Sequence, residues 1–161
     1  MDFFYPNFTN DFWRVMGLIH FADAQYFVAE GEKRFDRGRI IPFCQSLGLG
    51  FYDTASRVRR LKDNASDLHL EILEPTDVAA LLRQMPLCCD VVTTGGKASE
   101  ELQRQTGFPM PSIGAYSEGE AFGRQFRWWR MPSTSRAYPL KLEKKAACYA
   151  LLFQNPLPPR P

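Results

Sequence analysis

Residues 89–107, CDVVTTGGKASEELQRQTG, decide how this chain is read. A β-branched run, Val91 to Thr94, meets Gly95–Gly96 and passes into a helix that ends at Gly107. Strand, tight glycine turn and helix form the repeating joint of a parallel α/β sheet, because the crossover lays the helix back on the strands. The joint also has a chemical reading. It exposes backbone N–H groups at a helix start, where an anion is favoured, and Lys97 follows directly. It lacks the G-x-x-x-x-G-K-[ST] spacing of a P-loop, so no nucleotide cofactor is expected. A plain strand-to-helix turn is the default, at a place where α/β sheets put ligands.

Working outward, QFRWWRMP (125–132) alternates and reads as a strand stopped by Pro132. LKLEKKAACYALLFQ (140–154) reads as a terminal helix with Leu140, Ala147 and Leu151 on its buried face. Upstream, EPTDVAALLRQMP (74–86) is a helix capped by Thr76 that buries Leu81 and Leu82. LGFYDTA (49–55) is a short apolar run of strand type. A helix stopped by Gly48 precedes it, and NDFWRVMGLIHFA (10–22) is a helix capped by Asn10 or Thr9. Three strands alternating with helices, with room for a hairpin before the last, predict a three-layer α/β/α sandwich around a small, mainly parallel sheet. Residues 1–154 read as a single domain and 155–161, NPLPPRP, as a proline-rich tail.

Composition narrows the classes. The 161 residues are 45% apolar and 14% aromatic, which places them among folded globular chains. No run of eighteen apolar residues is present and the start lacks the basic flank of a signal peptide, so a cytoplasmic protein without a membrane span is expected. The net charge of +2 does not announce a nucleic-acid partner. Its distribution says more: Arg57, Arg59, Arg60 and Lys62 cluster, and Arg124, Arg127, Arg130 and Arg136 recur later. Such groups can neutralise phosphates, although solvated faces carry them as well. Cys44, Cys88, Cys89 and Cys148 have no zinc spacing with His20 or His69, so no metal, no iron–sulfur cluster and no cofactor is expected. His20 on an apolar helix face and His69 between leucines read as structural residues.

Two further stretches carry possible chemistry. MPSTSRAYP (131–139) sets three hydroxyls and Arg136 between two prolines, a rigid polar loop able to hold a phosphate or to be an ordinary Ser/Thr turn. Asp53, at the end of the predicted strand, is a functional carboxylate or a helix cap.

In order along the chain, these segments resemble the uracil-DNA glycosylase superfamily, nearest its hypoxanthine/uracil branch and the mismatch-specific uracil glycosylases. YPNFTNDFW (5–13) matches the family's aromatic–x4–Asn–x–Phe-Trp segment, with Tyr5, Asn10, Phe12 and Trp13 in register. GLGFYDTASRVRR and NASD resemble its second strand, turn and following polar stretch; EPTDVAALLRQMP and CDVVTTGGKA resemble the next helix and strand; MPSTSRAYP resembles its Pro-Ser-x-Ser loop. Family domains begin with a central strand ending in a glycine- and proline-containing motif. This chain starts just after it, so the resemblance implies an upstream strand belonging to the working protein.

The resemblance implies a monofunctional glycosylase that hydrolyses the N-glycosidic bond of a flipped-out uracil or hypoxanthine and leaves an abasic site. Asn10 would position the attacking water, Tyr5 and Phe8 would face the base, and Asp53 and Thr94 would line its pocket. Thr94 stands where some relatives carry an amide that reads the base edge. Ser133, Thr134, Ser135, Arg136 and Lys97 would grip the DNA backbone or plug the vacated stack. The implied partner is DNA bearing a deaminated base, bound by a monomer. Two other classes remain: a damage-binding protein that keeps the pocket without turnover, and an α/β enzyme holding a small phosphorylated ligand at TTGGKA.

Overall fold

The structure, a computed structural model, describes residues 3–60 and 70–154. Lys62, the NASD stretch, His69 and the proline-rich tail therefore lie outside the described residues. The described residues divide into two compact units: those up to Tyr52 together with Ser133–Gln154 make the first, and those within Asp53–Pro132 make the second.

The first unit is helical. It contains α1 (Phe12–Phe21) and α2 (Arg37–Leu47) and closes with a terminal helix, Leu142–Gln154, which is α5 in chain order. Asp36 caps α2 through its side chain, accepting from the N–H groups of Gly38 and Arg39, and Gly48 ends it at φ 64°. The left-handed angle explains the glycine that the sequence places there. Aromatic side chains form the core. Trp13 is 1% exposed and packs against Phe12, Phe27 and Phe51 with ring centroids 4.9, 5.6 and 5.9 Å away. Its indole N–H donates to the Phe4 carbonyl at 3.0 Å. The aromatic opening of the chain is thus the lining of the α1 core.

The α5 face differs from the expected one. Lys145, Ala146 and Tyr149 are buried, whereas Ala147 and Leu151 are exposed. The spacing of apolar residues admits two adjacent faces, and α1 selects the one that carries the lysine. His20 lies between Phe43 and Phe153, with ring centroids 5.0 and 4.5 Å away. Its Nε2 is buried without a hydrogen-bond partner among the described residues.

Among the described residues the second unit holds all the strands: β1 (Ala55–Arg60), β2 (Leu70–Pro75), β3 (Asp90–Thr94), β4 (Ala115–Ala121) and β5 (Arg124–Met131). Helices α3 (Val78–Arg83) and α4 (Gly96–Thr106) lie between them in sequence. The strand–glycine–helix joint forms as expected, with Gly95 at φ 88° and Gly107 ending α4. The sheet is not mainly parallel. Its order is β3-β5-β4, with β3 parallel and β4 antiparallel to β5, and β1 and β2 pair separately as an antiparallel ribbon. The mixed character comes from the two-residue turn Phe122–Gly123, both at positive φ, which joins β4 to β5 as a type I′ hairpin.

The predicted strand at 49–55 is also displaced. Residues 49–54 are irregular, and the strand begins at Ala55 and runs into the basic stretch. A ribbon with two open faces tolerates SRVRR because the charges find partners across it: Arg57 pairs with Glu74 at 2.8 Å and Arg59 with Glu71 at 3.4 Å. Asp77, not Thr76, caps α3 by accepting from Ala80 N–H at 2.8 Å; the Thr76 hydroxyl donates to the Asp53 carbonyl instead. Leu82, Leu102, Phe108, Phe126 and Trp128 form the core of this unit. As the middle strand, β5 is buried on both sides, which explains why Arg127 and Trp129 are as hidden as Phe126 and Trp128.

Candidate functional site

In the first unit, the head of α1 and the loop 133–136 are joined although more than 120 residues separate them in sequence. The Asp11 N–H donates to the Thr134 carbonyl at 2.9 Å. The Asp11 carboxylate receives Lys145 Nζ on one oxygen at 2.9 Å and Arg136 Nε on the other at 3.3 Å. Lys145, 1% exposed, donates a second bond to the Ser135 carbonyl at 2.8 Å. Loop hydroxyls complete the turn: Ser133 Oγ accepts from Ser135 N–H and Ser135 Oγ from Ala137 N–H, each at 3.2 Å. Thr134 is buried while Ser135 and Arg136 are exposed.

Asn10 sits at this junction. Its Oδ1 accepts the Phe12 N–H at 2.8 Å, so it is a capping residue, and its own N–H donates to the Asn7 carbonyl. Arg14, one turn along α1, donates to the Phe8 and Asn10 carbonyls at 2.8 and 3.2 Å. Its guanidinium lies 4.4 Å from the Phe8 ring centroid and 5.1 Å from that of Phe35. Burial pushes the Arg14 pKa down; nearby Arg136 adds to that, and Asp11 opposes it. Three cations, Arg14, Arg136 and Lys145, thus surround the single carboxylate of Asp11. Surplus positive charge beside exposed hydroxyls is chemistry suited to an anion.

Tyr5 stacks on Phe12 at 4.4 Å and 14°, and Phe8 packs on Phe35 at 5.4 Å. Both rings are half-buried, each with one face committed to the unit's own aromatic residues. An apolar concavity of about 240 Å³ lies in this unit among Phe3, Phe4, Trp13, Ile40, Cys44 and Phe51.

Asp53, Thr94 and Lys97 belong to the second unit, where they line a shared concavity of about 300 Å³ with Thr54, Ala55, Val58, Ile72 and Ala98. Asp53 precedes β1 instead of ending a strand and caps no helix; Thr94 ends β3, and Lys97 opens α4, paired with Glu100 at 3.4 Å. Behind them a buried hydroxyl relay fixes the glycine turn. Trp128 Nε1 donates to Thr93 Oγ1 at 2.8 Å, Thr93 and Ser99 hydroxyls lie 3.0 Å apart, and Ser99 Oγ donates to the Gly95 carbonyl at 2.9 Å.

The later arginines are mostly spent on structure. Arg124 donates to the carbonyls of Leu82, Met85, Pro86 and Cys88. Arg127 makes a two-pronged bond to Asp90 at 2.6 and 2.9 Å, and Arg130 donates to the Pro111 carbonyl. Of the four, Arg136 alone is exposed. Sequence reasoning missed Asp11, Arg14 and Lys145. For Lys145 the available signal was weak: a lysine four residues before Tyr149, on the face that α1 covers.

Comparison with protein-family models, with curated proteins and with solved structures found no match. No helix among the described residues is long and apolar enough to cross a membrane, and none of their His, Cys, Asp and Glu side chains form a group able to hold a metal ion.

Proposed function

We propose that this chain is a DNA glycosylase domain that hydrolyses the N-glycosidic bond of a deaminated base, uracil or hypoxanthine, flipped out of DNA. The observation that carries the reading is the bond between Asp11 N–H and the Thr134 carbonyl, with Lys145 and Arg136 on the Asp11 carboxylate. It joins the residue after Asn10 to the polar loop, and so connects two of the segments that carry the family resemblance. Extruding a base costs a few kcal/mol, least for a mispaired one, so deaminated bases are selected without sequence readout. The reaction passes through an oxocarbenium-like state, for which the protein orients water and need not supply a covalent nucleophile.

Asn10 is suited to that task even as a cap. A carbonyl oxygen has two lone pairs and the amide two N–H donors, so one lone pair on Phe12 N–H leaves a donor and an acceptor for water. The cap bond also fixes the direction in which the amide points. Arg136, with the hydroxyl of Ser135, supplies phosphate contacts, which position the duplex without reading its sequence.

The test is release of base from oligonucleotides carrying one uracil or one hypoxanthine, paired and single-stranded, scored by alkaline scission. Release that Asn10→Ala abolishes supports the reading; a folded chain that releases neither base sinks it. One observation favours a second reading, a damage-binding protein without turnover: the Asp11 carboxylate at the head of α1 is already neutralised by Lys145 and Arg136 and is no free general base. Binding of the same oligonucleotides without release would select it.

A further inference from the structure

Lys145 has no route to a ligand. It is 1% exposed, and its two acceptors among the described residues are the Asp11 carboxylate and the Ser135 carbonyl. Arg136 is the reverse case, with a side chain 52% exposed and a longer, 3.3 Å contact to the other oxygen of the same carboxylate. One anion is shared between a buried cation held at 2.9 Å and an exposed one held loosely. Arg14, also buried, belongs to the same neighbourhood: burial first, and then the like charge of Arg136, push its pKa down, while Asp11 opposes them. Charge removed from one member of such a set must be redistributed among the rest.

We propose that Lys145 is a positioning residue: by taking up the charge of Asp11 from within the core, it leaves Arg136 available to an anionic ligand on the loop 133–136. This rests on the reading above only for the identity of that ligand, a DNA phosphate. The charge sharing itself is a property of the unit. Without the ammonium, Asp11 holds Arg136 closely and withdraws it from the ligand. Without Asp11 as well, Arg136 has no tether.

The test has two independent readouts. The first needs no DNA: the rate at which an arginine-selective dicarbonyl reagent modifies Arg136, mapped by peptide mass, with Arg104 on α4 as internal reference. Lys145→Gln keeps a hydrogen-bond donor and drops the charge. It is expected to slow modification of Arg136 about threefold, the size of a partly exposed ion pair. Lys145→Arg restores the charge and the wild-type rate. The double variant Asp11→Asn/Lys145→Gln modifies faster than wild type, and this arm decides the matter if Lys145→Gln does not fold. An unchanged rate in folded Lys145→Gln, or no acceleration in the double variant, overturns the proposal.

The second readout is the salt dependence of binding to a uracil-containing duplex. Lys145→Gln is expected to lower the slope of log K against log salt by about 0.9, one phosphate contact, although Lys145 itself is out of reach; the double variant regains it. A wild-type chain that binds no DNA refutes the glycosylase reading, and the Arg136 rates then decide the charge sharing on their own.

Discussion

Asn10 offers the sharpest separation of structure from chemistry, because one atom is asked to serve both. Its Oδ1 accepts the Phe12 N–H at 2.8 Å, and Phe12 is 6% exposed, so the N–H has little water to fall back on. Asn10→Ala removes that acceptor. Loss of such a cap costs about 1 kcal/mol, which for a chain of this length lowers Tm by about 2–4 °C. Asn10→Ser provides the dissecting variant. Serine and asparagine are comparable caps, so stability is expected to stay within about 0.5 kcal/mol of wild type. The serine hydroxyl is too short to reach both the Phe12 N–H and a water held for attack. Misplacing that water costs about 100-fold or more in base release. Urea unfolding and single-turnover release from a uracil oligonucleotide, measured on both variants, give the two axes. Alanine is expected to lose on both axes and serine on release alone. Wild-type release from Asn10→Ser would refute the reasoning, because the residue would then be a cap and nothing more.

Three smaller expectations follow from the same structure. Burial holds the His20 pKa below its usual 6.5, and its Nε2 lacks a partner among the described residues. The unfolded chain therefore takes up the proton first, so stability is full above pH 6.5 and falls as pH drops below it. Melting curves at pH 7.5 and 5.5 should show a fall in Tm that is smaller in His20→Phe; equal falls would refute the assignment. Arg124→Met strips donors from four carbonyls at the end of α3 and the turn after it. It is expected to cost about 3 kcal/mol by urea unfolding, less than four full charged bonds because several of those carbonyls regain water. Thr93→Val leaves the Trp128 indole N–H with no acceptor in the core, a loss of about 1–3 kcal/mol that the same measurement would detect.

The local signals were legible because their physics is local. Gly48 and Gly107 end helices at positive φ, which a glycine allows and most residues resist. The β-branched run Val91 to Thr94 followed by two glycines favours a strand and a tight turn, and Trp13, on the apolar face of α1, is 1% exposed in the core. The displaced elements have another origin. SRVRR becomes a strand because Glu71 and Glu74, a dozen or more residues on, stand opposite its arginines. No window on the arginines alone contains those partners.

The sequence by itself determined the positions of the helices α1 to α5, the strands β3 and β5, and the residues offered for chemistry: Asn10, the hydroxyl loop and Arg136. Periodicity, capping and backbone freedom act within a few residues, so they can be read from a few residues. Tertiary structure decided the rest: the antiparallel half of the sheet, the buried face of α5, and the meeting of Asp11, Thr134, Arg136 and Lys145. That meeting rests on a buried lysine, which is stable only because a carboxylate 134 positions away in sequence reaches it. A charge can be buried once its counter-charge is in place, and only the folded chain brings the two together.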